Sequence, residues 1–151
     1  MAPQERARIL VVANQTASTP RLIEAVRRRA AAGPCAFALL IPDVMDRKTA
    51  DWTLETAQRL LQTPARRRVE GLVGGPDPFA SVEKAVRDGD FDEIIISTLP
   101  RRVSKWLRRD LPHRVERLGV PITVVTTPET ELERLREGMR AAGGSGEGGL
   151  G

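Results

Sequence analysis

Tyrosine is absent and all aromatic residues together make up 3% of the chain, so the core has to be assembled from Val, Ile, Leu and Ala. Such a core suits a parallel sheet covered by helices and argues against a β-sandwich. Cysteine occurs once, at Cys35, which excludes an internal disulfide and reads as a small apolar side chain at the start of a buried strand. Histidine also occurs once, and His113 alone supplies no metal cluster. Lysine is confined to positions 48, 84 and 105, so the basic side of the +4 net charge is almost wholly Arg. Arginine favours bidentate contacts to carboxylate or phosphate, although a GC-rich genome raises Arg content without any ligand. No apolar run approaches the roughly 18 residues of a membrane span, and Met1 to Arg6 lack the apolar segment of a signal peptide. A cytoplasmic protein with no membrane partner is expected.

What is present is a regular alternation of apolar runs and helical patterns. Ile9-Leu10-Val11-Val12-Ala13 reads as a buried strand, and Thr19-Pro20 places an N-cap residue before a proline at the first helical position. Leu22, Ile23, Val26 and Ala30 then share a helix face, Arg27-Arg28-Arg29 suit the negative end of the dipole, and Gly33-Pro34 stops the helix. Ala36 to Ile41 is a second strand, followed by a helix from Asp51 to Gln62 with Trp52, Ala57, Leu60 and Leu61 for packing. Val69, Leu72 and Val73 give a third strand ending in the tight turn of Gly74-Gly75. Asp77-Pro78 repeats the cap-then-proline signal, with Phe79, Val82 and Val86 at helical spacing. Ile94-Ile95-Ile96 is the fourth strand and Ile122-Thr123-Val124-Val125, entered through Gly119-Val120-Pro121, the fifth.

Five apolar runs separated by helices describe an α/β fold with a doubly wound parallel sheet, because parallel neighbours need crossovers and right-handed crossovers cover both faces. The expected strand order is 3-2-1-4-5, a Rossmann-like arrangement with the first and fourth strands adjacent at the switch point where ligands bind. In domain terms, residues 1–7 form an N-terminal extension, 8–127 the folded domain, 128–142 a charged helix with Leu132 and Leu135 as its apolar contacts, and 143–151 a flexible Gly-rich tail.

The order and spacing of these elements, with the opening Ile-Leu-Val-Val and the closing Gly-Val-Pro-Ile-Thr-Val-Val, resemble the universal stress protein family across roughly Arg8 to Thr127. Nucleotide-binding members of that family carry an acidic residue after the first strand. They also carry a loop with two glycines three apart, then a third glycine and a serine at a helix start. Here Asn14 takes the acidic position, and Ser97, Pro100, Asp110 and Leu111 take the loop positions, so every loop glycine is missing. The resemblance therefore implies the fold and a dimeric stress-related module, but not ATP binding in the family's manner. Phosphate binding at a helix N-terminus needs free N–H groups, and Pro100 and Pro112 have none. Asp110 is expected to cap the helix starting at Leu111, placing a carboxylate where a phosphate would sit.

No Ser-His-Asp set, carboxylate pair or metal cluster can be assembled, which points away from catalysis and from any cofactor. The leading expectation is a non-enzymatic regulatory or stress-response module. A second function class is binding of a nucleotide or phosphorylated metabolite, a small anionic ligand, by Arg101 and Arg102 with Ser97, Asn14 and Thr16 across the cleft. A third is nucleic-acid binding through the basic segment 101–117, where Val103, Trp106 and Leu107 otherwise tuck a short helix onto the sheet. Truncation after Ala142 should leave the melting temperature nearly unchanged in a thermal scan, and a loss of several degrees would show that the tail docks.

Overall fold

The computed structural model describes residues 7–13, 19–42, 47–99, 105–108, 110–131, 133–134 and 137, and for 47–53, 105 and 108 the backbone alone. Five strands, β1 (Ala7–Val12), β2 (Cys35–Ile41), β3 (Glu70–Val73), β4 (Glu93–Thr98) and β5 (Ile122–Thr126), form one parallel sheet in the order β3-β2-β1-β4-β5. They alternate with helices α1 (Pro20–Ala32), α2 (Arg47–Ala65), α3 (Pro78–Gly89), α4 (Lys105–Arg108) and α5 (Leu111–Glu116). β1 lies at the centre, paired on one side with β2 (Val11 beside Leu39) and on the other with β4 (Val11 beside Ile95).

Two apolar layers follow from the strand alternation. Ile9 and Val11 pack with Leu39, Ile41, Leu22, Val26 and Leu61 on the α1–α2 side, while Leu10 and Val12 pack with Leu40, Ile94, Ile96, Val82 and Val115 on the α3–α5 side. Each such side chain taken from water contributes roughly 1.5–3 kcal/mol, which is why β1 and β4 read as unbroken apolar runs. Asp77 caps α3 as its sequence suggests, its carboxylate accepting from the Phe79 and Ala80 N–H groups. Gly74 allows a close approach rather than a special turn. A Cβ there would fall 3.0 Å from the Pro42 Cα and 2.7 Å from the Ser81 hydroxyl oxygen. Gly119, with φ of +87°, turns the chain from α5 into β5, a conformation that favours glycine.

α2 runs further than the expected Asp51 to Gln62 at both ends and takes Pro64 into its last turn. Leu60, expected to pack, is 44% exposed. The buried stripe of this helix runs at four-residue spacing through Ala57, Leu61 and Ala65, and Leu60 sits beside it. The side chain of Trp52 lies outside the described residues, as do Val103, Leu132 and Leu135. Thr19 holds the extended backbone of an N-cap, and its carbonyl accepts from the Ile23 N–H at 3.1 Å, but its hydroxyl makes no capping bond. The side chain is buried against the protein instead.

Asp110 departs most from expectation. Its backbone is left-handed (φ 57°, ψ 37°) and its carboxylate makes no capping bond to α5. A capping side chain requires an extended backbone at that position. Here the left-handed residue closes α4, its N–H donating to the Leu107 carbonyl at 3.2 Å, and the carboxylate turns to His113 Nδ1 at 3.3 Å. It therefore does not occupy the amide groups of α5. Because glycine is the residue that favours this conformation, Asp110→Gly should raise stability by up to about 1 kcal/mol in chemical denaturation, and a loss would show that the His113 contact outweighs backbone strain.

Candidate functional site

In this topology the crevice opens at the carboxyl ends of β1 and β4, where the connections diverge to opposite faces. Buried polar side chains collect there. Among the described residues they are Thr19, Ser97, Thr98 and Thr127, all at the start of α1 or at the ends of β4 and β5. The strand ends are tied together by main-chain bonds, Thr127 N–H to the Thr98 carbonyl at 3.2 Å and Ala13 N–H to the Leu40 carbonyl at 3.2 Å.

The pleat sorts these hydroxyls. Thr98 and Thr126 are register partners, and their hydroxyl oxygens lie 3.1 Å apart. Ser97 is the register partner of Val125, which packs against the α1–α2 layer, so Ser97 faces that side. Ser97 is only 1% exposed, part of the interior rather than a surface donor. The Thr127 hydroxyl is fully buried and has no hydrogen-bond partner among the described residues. A buried hydroxyl in that state costs on the order of 1–3 kcal/mol.

Of the residues expected to bind a ligand, Ser97 alone is described. Asn14, Thr16, Arg101 and Arg102, and with them Pro100, lie outside the described residues. Thr126 and Thr127 escaped the sequence reading because Thr-Thr after Val-Val looks like the ordinary tail of a β-branched strand.

The opposite, amino-terminal edge of the sheet is strongly charged and was not singled out from sequence. Arg29 on α1 grips Glu93 at the start of β4, Nε donating to Oε1 at 2.9 Å and Nη2 to Oε2 at 2.7 Å. The Glu93 carboxylate holds the Arg29 guanidinium above its ordinary value. Burial pushes the nearby Cys35 thiol up, which leaves it a packing residue rather than a nucleophile. Arg27 and Arg28 both reach Glu24 along α1, so the arginine triplet is accounted for within the fold.

No family model matches the chain, and no curated protein matches it in sequence. In structure it is similar to a universal stress protein solved in complex with cAMP. The TM-score is 0.62 and the identity 15%, over 82% of this chain and 99% of that one. The chain has the universal stress protein fold. At that identity the likeness is one of architecture, and residue roles have to be argued from this chain's own side chains. No helix among the described residues is long and apolar enough to cross a membrane, and no group of three metal-ligating side chains occurs there.

Thr127→Val removes the unpartnered hydroxyl at constant shape. The substitution should be neutral or stabilising by up to about 1 kcal/mol in urea denaturation, whereas a loss above that would show that the hydroxyl is hydrogen-bonded in solution.

Proposed function

We propose that this chain is a non-enzymatic regulatory or stress-response module of the universal stress protein type, a cytoplasmic homodimer that does not hold ATP as nucleotide-binding members of that family do. The observation that carries this is the connection after β4. It passes through the four-residue α4 to a six-residue α5 with Pro112 in its first turn, and Ser97 of β4, Pro100 and Asp110 stand where glycines would be needed. Wrapping a phosphate in main-chain N–H groups needs glycine's close approach and free donors, and this connection is short of both. The Asp110 carboxylate does not cover the α5 amides, but Pro100 and Pro112 have no N–H to donate. The exposed edge of β5, with Val124 40% accessible, supports pairing with a second copy.

A second function, binding of a nucleotide or phosphorylated metabolite, is favoured by one finding: the similar structure holds cAMP. Arg101 and Arg102 would supply side-chain donors in place of the glycine loop, with Asn14 and Thr16 across the cleft. Nucleic-acid binding through segment 101–117 has less support, because Arg114 is laid over the Phe79 ring, 4.4 Å from its centroid, and is engaged in packing.

Calorimetry with ATP and magnesium, and separately with cAMP, tests the choice. ATP should bind more weakly than about 1 mM, and micromolar ATP affinity would overturn the first function. Micromolar cAMP with no ATP binding would instead establish the second.

A further inference from the structure

We infer a second ligand site, at the amino-terminal edge of the sheet, that takes a small molecule carrying a phosphate or carboxylate on a flat apolar body. It is independent of the crevice at the carboxyl ends of the strands. The feature that carries it is a groove of about 360 Å³, within the range of small-ligand pockets, formed at the first residues of β1, β2 and β3. Its lining includes two small side chains of β2, Ala36, which is partly exposed, and Ala38, which is buried in the α3–α5 layer beneath. Register places Arg8 of β1 beside Ala36 and Glu70 of β3 beside Ala38, so two long side chains flank a strip of methyl groups. Phe91 closes one wall and Arg68 one end.

Arg8 is held ready for an oxyanion. Its Nε donates to the Gly89 carbonyl at 2.7 Å and its guanidinium lies over the Phe91 ring, 4.8 Å from the centroid, which together fix the plane of the group. Its contact to Glu70 is 3.9 Å, too long for a hydrogen bond, and the pair is half exposed, so its terminal N–H groups keep donor capacity toward the groove. Arg68 makes no ion pair among the described residues. Two arginines and one carboxylate, Glu70, line the groove, and the nearby Asp92 carboxylate is already engaged, accepting from the Arg8 backbone N–H at 2.8 Å. The planar fork of arginine matches the oxygens of phosphate and carboxylate, and the alanine lining accepts a flat apolar body.

The test uses the full chain labelled with 15N, its amide shifts followed during titration with phenyl phosphate, benzoate and benzylammonium. Phenyl phosphate or benzoate should give saturable shifts at the Ala36, Gly71 and Phe91 amides, and the tighter of the two identifies the oxyanion. Arg68→Gln removes a side chain with no ion pair among the described residues, so the fold should be retained, and it should weaken that binding about tenfold, the worth of one charge-assisted hydrogen bond. Ala36→Leu fills the groove with both arginines in place and should abolish it. Shifts that do not saturate, that appear only at Ser97 and Thr98, that survive in Arg68→Gln, or that favour benzylammonium would each overturn the site.

Discussion

The rest of the structure depends on the double-sided burial of β1. Ile9, Leu10, Val11 and Val12 are all removed from water, alternately into the α1–α2 layer and the α3–α5 layer. A strand in that position cannot surrender either neighbour, because its main-chain N–H and C=O groups have no water to turn to. The parallel pairing to β2 and β4 is therefore imposed, and each parallel pair demands a crossover helix. From that one requirement come both helical layers, the divergence of the connections beyond β1 and β4, and the crevice between them.

The two ends of the sheet have been put to different chemical use. At the carboxyl end the buried polar groups among the described residues are neutral hydroxyls, with Thr98 and Thr126 paired across the strands and Thr127 without a partner there. At the amino end the chemistry is ionic: Arg29 with Glu93 joins α1 to β4, while Arg8 spans from β1 to the end of α3. Hydroxyls can be buried at modest cost, whereas a buried charge must be matched, and both arginines keep partial access to solvent. At the amino end Arg8 accordingly retains donor capacity at its terminal N–H groups, 3.9 Å from the Glu70 carboxylate.

The strands, the cap at Asp77, the stop at Gly33 and the sheet order were legible because each rests on short-range rules: the alternation or continuity of apolar residues, an Asp before a proline, a crossover between parallel neighbours. Leu60 and Asp110 were misread for reasons of degree. A leucine three residues from a buried alanine lies on the flank of the helix stripe as easily as within it, and the aspartate before Leu111-Pro112 has the same letters whether its backbone is extended or left-handed. What separates the two cases at Asp110 is the end of α4 just before it, an element too short to leave a clear periodic trace.

By itself the sequence determined the parallel α/β class, the central place of the first strand and the absence of glycine from residues 97–112, since hydrophobic period and residue identity are properties of local stretches of chain. Only the tertiary structure decided that Ser97 is interior, that Thr127 is left without a partner among the described residues, and that Ala36, Ala38, Arg8, Glu70, Arg68 and Phe91 meet in one groove. Those residues come from β1, β2, β3 and the turns before β3 and β4. Their proximity is created by strand register, which brings Arg8 beside Ala36 and Ala38 beside Glu70 and leaves no periodic signal in any one segment.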